Sequence, residues 1–166
     1  MDSYETTAKY NLAETCCASI SVHQLLEFSD RPSPSHLDLF APLTYGEIRG
    51  STQLRTNLSR LYSSKVPKPL PLENILIQPG AIAANYLIFT ALIGPGDHVI
   101  CHHPTYQALY SVPKALGADV DLWRTNAEHA WIPGIEELKQ LIKPNTKMIV
   151  LKYADPSPIA VLLFKR

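Results

Sequence analysis

The sequence predicts an α/β fold, a parallel sheet whose strands are joined by crossover helices. Three observations predict it. Short apolar runs at residues 75–77, 98–101, 118–123 and 148–151 alternate with longer stretches of helical period. Turns bearing glycine and proline separate them, notably Gln78-Pro79-Gly80 and Gly94-Pro95-Gly96-Asp97. The order strand, turn, helix, turn, strand from residue 74 to residue 106 is that of a βαβ unit, which places its two strands parallel.

Taken in order, residues 11–28 predict an amphipathic helix, with Leu12, Cys16, Ile20, Leu25, Leu26 and Phe28 as its stripe. Residues 30–42 hold three prolines and several serines and predict a loop. Ser51 is a suitable N-cap for a helix to Ser63 that carries Leu54, Leu58, Leu61 and Tyr62. Residues 66–71, again with three prolines, form a connector. The βαβ unit follows, with its strands at 75–77 and 98–101. A helix is predicted over 106–116, a strand over 118–123, a helix from Pro133-Gly134 to Lys143-Pro144, and a last strand over 148–151. Fourteen prolines in 166 residues exceed the usual ~5% and mark connectors rather than disorder.

Length and composition bound the function. One domain is expected from 166 residues. Fifteen basic and fifteen acidic residues cancel, which argues against a nucleic-acid surface. No apolar run nears the ~20 residues of a membrane helix, and the polar residues 1–10 do not read as a signal peptide. Three cysteines, of which Cys16 and Cys17 are adjacent, make no disulfide framework, so a reducing cytoplasm is expected.

The chemistry is concentrated around Gly80. A glycine turn that opens a helix presents free backbone N–H groups where the macrodipole favours an anion. Without a Cβ, Gly80 lets a phosphate approach the main chain. After the next strand, Tyr106 presents a ring on the same edge of the sheet. A phosphate cradle beside a flat ring suits a phosphorylated aromatic cofactor.

These residues resemble the cofactor-binding domain of the class I and II pyridoxal-phosphate-dependent aminotransferases of fold type I. The matching pieces are Tyr45-Gly46-Glu47-Ile48-Arg49-Gly50-Ser51 with Leu54-Arg55, then Gly80-Ala81-Ile82, Gly94-Pro95-Gly96-Asp97-His98-Val99 and Pro104-Thr105-Tyr106. Gly117-Ala118 and Thr146-Lys147-Met148-Ile149-Val150 complete the set, which covers about two thirds of the chain. The resemblance implies a parallel-sheet large domain at 43–151, an N-terminal helical arm and loop at 1–42, and a divergent tail at 152–166. It implies pyridoxal 5′-phosphate as cofactor, held by the backbone of Gly80, Ala81 and Ile82. It implies Tyr106 stacked on the pyridine ring, and Tyr45 reaching the phosphate of a neighbouring subunit, in a dimer. The implied activity is amino-group transfer between an amino acid and a 2-oxo acid, in amino-acid or secondary metabolism.

Each residue also has a plainer reading. Gly80 could open an ordinary strand-to-helix turn, Tyr106 could pack at a helix start, and Tyr45 could be a surface tyrosine. Cys101-His102-His103 offers metal-ligand types, but neighbours in a strand point to opposite faces and cannot grip one ion. Lys65, after Ser63-Ser64, precedes the phosphate loop and is read as a solvated connector residue.

The resemblance weakens after residue 151. The family's Schiff-base lysine, the acid that partners the ring nitrogen and the arginine that clamps substrate all follow that strand, so the chain is expected to be truncated and inactive alone. The family's asparagine-bearing turn is replaced by a segment with Asp155-Pro156-Ser157-Pro158, whose carboxylate would repel an electron-rich ring oxygen. A shifted or early-ended reading frame would produce the same break. The apolar tail at 161–166 has no evident partner. An exposed apolar edge, marginal stability or dependence on a partner chain is therefore expected. The alternative is a non-catalytic module that pairs with a full-length homologue. A further reading is a new activity on phosphorylated small molecules, using Tyr106, His102 or His103.

Overall fold

The structure is a computed structural model and describes residues 7–10, 18–28, 40–64 and 68–152, with the backbone of 160–163. The chain forms two compact units, Met1–Tyr45 and Gly46–Arg166. In the first unit, helix α1 (Val22–Glu27) starts at a capping box. The Ser21 hydroxyl accepts the Gln24 N–H at 3.1 Å, and Gln24 Oε1 accepts the Ser21 N–H at 2.8 Å. These reciprocal bonds fix the helix start. The longer helix expected over 11–28 is corrected accordingly: residues 18–21 are not helical, and 11–17 lie outside the described residues.

The second unit is a mixed four-stranded sheet with helices on both faces. Its elements are α2 (Thr52–Ser63), α3 (Ala81–Leu92), β1 (His98–His103), α4 (Ala108–Ala115), β2 (Asp119–Arg124), α5 (Ile135–Leu141), β3 (Thr146–Leu151) and β4 (Ala160–Leu163). The strand order is β2-β1-β3-β4. β1 pairs parallel with both β2 and β3, as the crossover helices require. β4 runs antiparallel to β3.

Strand alternation sorts the core into two layers. Val99, Cys101, Met148 and Val150 face one side, where they pack with Phe89 of α3 and Leu109 of α4. Ile100, Ile149 and Trp123 face the other, against Leu138 and Leu141 of α5. Both faces of the parallel strands are therefore covered, as their near-continuous apolar sequences demand.

Two expectations are corrected here. Residues 75–77 do not form a strand. Ile75 is extended (φ −112°, ψ 124°), but the segment follows a short 3-10 turn at Leu72–Asn74. Ile77 N–H donates to Arg49 O at 3.0 Å, a loop contact rather than a ladder. An extended apolar run becomes a strand only when a neighbouring strand takes its backbone groups, and none among the described residues does. The apolar tail, in contrast, has a partner: β4 occupies the free edge of β3 and satisfies its backbone groups.

The apolar surface that stays exposed lies on a helix. α3 is apolar almost all round, a pattern typical of a buried helix. Yet Phe89 is its one buried residue, while Ile82, Tyr86 and Leu87 are exposed. The segments 29–39, 65–67, 153–159 and 164–166 lie outside the described residues, and with them the 30–42 loop in large part, Lys65 and Asp155.

Candidate functional site

Gly80 is the N-cap of α3 and sits at φ 89°. A β-carbon there would meet nothing within 4 Å, so the space in front of the turn is open. The positive φ is readily reached only by glycine. Gly80 N–H turns back to Gln78 O at 2.9 Å, and Ala84 N–H makes the first helical bond, to Gly80 O at 3.3 Å. No side chain caps the helix. The N–H groups of the first turn have no partners within a helix, so Ala81 and Ile82 offer theirs outward. The result is an anion-receptive turn at the positive end of a 12-residue dipole.

The loop before this turn is held by polar contacts. The Arg55 guanidinium, nearly buried, donates to Gly50 O at 3.1 Å and to Leu72 O at 3.3 Å. Arg49 donates to Glu73 O at 3.2 Å. Glu47 accepts from the Thr52 hydroxyl and backbone N–H, and these two bonds hold its carboxyl below the usual range. Gly50, at φ 90°, has no room for a side chain: a β-carbon would lie 2.4 Å from Ile77 Cβ. The glycine and the arginine of the Glu47-Ile48-Arg49-Gly50 segment thus clamp the chain that leads to Gly80.

Tyr106 lies between β1 and α4 and is 54% exposed. α3 is joined to β1 by the short turn at residues 94–97, so it runs back along the sheet. Its N-terminus and the C-terminal end of β1 therefore occupy the same end of the unit, where parallel sheets place their ligand sites. Gly80, Ala81, Ile82 and Tyr106 share that end. Beside Tyr106, the buried Thr105 hydroxyl has no hydrogen-bond partner among the described residues. Tyr45 belongs to the first compact unit and is fully exposed.

β1 carries Cys101, His102 and His103 on alternating faces. Cys101 is buried, and burial pushes its thiol up to about 12, so it remains protonated and inert. The His102 ring meets the edge of Trp123 at 6.2 Å, and the His103 ring meets Tyr110 at 6.1 Å. His102 Nδ1 is buried without a hydrogen-bond partner among the described residues. Burial, and secondarily the charge of His103, hold His102 below the usual imidazole range; the nearby Lys152 backbone opposes them weakly. No group of three His, Cys, Asp or Glu among the described residues could hold a metal ion.

A sequence model of the family described as aminotransferase class I and II matches residues 39–157. The chain belongs to the class I and II aminotransferase family. Among curated relatives, arginine–pyruvate transaminase of Pseudomonas aeruginosa is 29% identical over 107 residues, covering 64% of this chain and 27% of the relative. Aspartate aminotransferase of Sulfurisphaera tokodaii is 34% identical over 110 residues, with 64% and 27% covered. Among solved structures, a PLP-dependent aminotransferase of Streptococcus suis superposes with TM-score 0.60 at 49% identity, over 66% of this chain and 28% of that one. Aspartate aminotransferase of Thermus thermophilus with maleate gives TM-score 0.61 at 25% identity, over 65% and 28%. The chain thus spans a little over a quarter of the length of these relatives. The three parallel strands and their helices are part of the family's large domain. No helix among the described residues is long and apolar enough to cross a membrane.

Sequence reasoning did not find two features of this unit. One is the polar cluster of His98, Asp121, Lys143 and Thr146 at the opposite end of the sheet, signalled only by a histidine inside an apolar strand. The other is a groove of about 470 Å³ between the end of β2 and α5, lined by Arg124, Asn126, His129, Ile132, Gly134 and Glu137 among others. Its lining comes from a loop without periodic pattern.

Proposed function

We propose that this chain supplies the phosphate-binding and ring-stacking part of an aminotransferase site and binds pyridoxal 5′-phosphate without a covalent bond. The observation that carries this reading is the uncapped N-terminus of α3 at Gly80, open in front and at the same end of the sheet as Tyr106. The residues fit the group. First-turn N–H groups of Ala81 and Ile82 donate to phosphate oxygens, and Gly80 keeps the approach clear. Tyr106 offers an exposed face for an aromatic ring. The Thr105 hydroxyl, without a hydrogen-bond partner among the described residues, is a further polar group beside it. Tyr45 reaches the phosphate of a second copy, so a dimer is part of the proposal.

When bound, pyridoxal phosphate supplies the electron sink for amino-group transfer between an amino acid and a 2-oxo acid. The residues of this chain bind and orient it. Within the matched residues 39–157 the family's carboxylate-clamping arginine and cofactor lysine have no counterpart, so this segment is proposed to bind the cofactor and not to turn over an amino donor.

Titration of the purified chain with pyridoxal phosphate, followed by visible absorbance, tests both parts. Saturable binding that inorganic phosphate displaces and that weakens in Gly80→Ala is expected, without transamination. Binding indifferent to phosphate and to Gly80→Ala would remove the site, and turnover of an amino donor would remove the claim of silence.

A further inference from the structure

The groove between β2 and α5 is separate from the Gly80 turn and has its own charge pattern. Elsewhere in this unit the charges near α5 and the strand starts are paired. Lys139 binds Glu136 at 2.7 Å, Lys143 binds Asp119 and Asp121 at 2.7 and 2.8 Å, and Lys147 binds Asp97 at 3.0 Å. Arg124 and Glu137 are exceptions. Both line the groove, and neither side chain has a hydrogen bond or ion pair among the described residues. Asn126 Oδ1 accepts the His129 N–H at 3.0 Å and faces His129 Nδ1 at 3.0 Å, which fixes one wall. Trp123 Nε1 donates to Gly134 O at 3.0 Å, which fixes another.

The loop that forms the groove is constrained. Ala130 and Trp131 are successive non-glycine residues at φ 50° and 60°. Such positions cost free energy and persist where the surroundings dictate them. The constraint leaves Trp131 and Ile132 exposed, at 57% and 69%. A cavity of about 470 Å³ is in the range of small-molecule sites. A cation and an anion without partners among the described residues, beside an apolar wall of Ile132 and Pro133, match a ligand that carries both charges on a small aliphatic body.

We propose that this groove binds a small zwitterion, a free α-amino acid being the simplest, with its carboxylate on Arg124 and its ammonium on Glu137. The site is distinct from the Gly80 turn and does not depend on cofactor binding there. Because both charged side chains are exposed, affinity falls in roughly the millimolar range.

The test is a titration with L-alanine by tryptophan fluorescence and calorimetry, with acetate and methylamine as single-charge controls. Trp131, next to Ile132, and Trp123, bonded to Gly134, are the reporters. Saturable binding of alanine is expected, with either control at least about tenfold weaker. Arg124→Gln and Glu137→Gln should each weaken alanine about tenfold or more, while Tyr106→Ala leaves it unchanged. Absence of saturable binding, equal binding of acetate, or wild-type affinity in both groove variants would overturn the proposal. Loss in Tyr106→Ala alone would move the ligand to the other site and overturn it as well.

Discussion

His98 Nδ1 lies 2.7 Å from Thr146 Oγ1, joining the first residue of β1 to the first residue of β3. His98 is fully buried, and its Nε2 lies 3.1 Å from Asp121 Oδ2 on β2. Thr146 Oγ1 accepts the Lys143 N–H at 2.7 Å, and in the tautomer with hydrogen on Nε2 its hydroxyl donates to Nδ1 while Asp121 accepts from Nε2. One imidazole thus fastens three parallel strands at the end opposite the candidate site. Thr146→Val leaves the Nδ1 acceptor and the Lys143 N–H unpaired and is expected to cost about 1–3 kcal/mol in urea unfolding. Thr146→Ser keeps the hydroxyl and should cost clearly less. Equal losses in both variants would show that the hydroxyl contributes nothing.

Two glycines at nearly the same φ should respond differently to alanine. At Gly80 the added methyl enters open space, so the cost is that of a backbone at φ 89° and ψ 154°, about 1–3 kcal/mol. At Gly50 it would also lie 2.4 Å from Ile77 Cβ and Cγ1, forcing the loop apart. Backbone strain and overpacking together predict about 2–5 kcal/mol for Gly50→Ala. Chemical denaturation of the two variants side by side checks the order. Reversal of that order would mean that the clamp between the Gly50 loop and Ile77 does not matter for stability.

These contrasts show what the sequence could and could not convey. The Gly80 turn was legible because its causes are local: a glycine for positive φ, then a helix start. The alternation of β1 and the opposite faces of Cys101 and His102 were legible for the same reason. The 75–77 segment looked like a strand because it is apolar, but a strand exists only through its partner. The pairing of β4 on β3 was illegible for the converse reason, since the edge it satisfies is formed elsewhere in the chain. The His98 contacts span 23 and 48 residues, beyond any periodic pattern. The expected exposed apolar edge is not found at β3, which β4 covers; Ile82 and Tyr86 are exposed on a helix instead.

Stability should fall as the solution becomes mildly acidic. His102 is held below the usual imidazole range by burial first and by His103 second. Above about pH 6.5 the ring is neutral in both folded and unfolded chains, and its contribution is complete. As pH falls through that value, the unfolded chain takes up a proton that the folded chain resists, so stability is lost. Asp121 does not confound this window. Its carboxyl is held down chiefly by Lys143, and its contribution is present above about pH 3.9. Lys143 is raised by Asp119 and Asp121, so its contribution is constant below about pH 10.4. The Tm should therefore drop from about pH 7.5 to about pH 5.5, and His102→Gln should flatten that slope. An unchanged slope in the variant would assign the effect elsewhere.

The ring at residue 106 separates cofactor binding from mere folding. Tyr106 is about half exposed, so removing it disturbs little packing, and Tyr106→Ala should change stability by less than about 0.5 kcal/mol. Stacking on an aromatic ligand contributes about 0.5–1.5 kcal/mol beyond area burial. Tyr106→Ala should therefore weaken pyridoxal phosphate by about 2- to 13-fold, while Tyr106→Phe, which keeps the ring, stays within about twofold. Inorganic phosphate, which has no ring, should bind the three proteins alike, because it meets the Gly80 turn only. Absorbance and phosphate-competition titrations on the same preparations read both quantities. Equal weakening of phosphate and cofactor in Tyr106→Ala would show that the tyrosine shapes the anion turn rather than stacking on a ring.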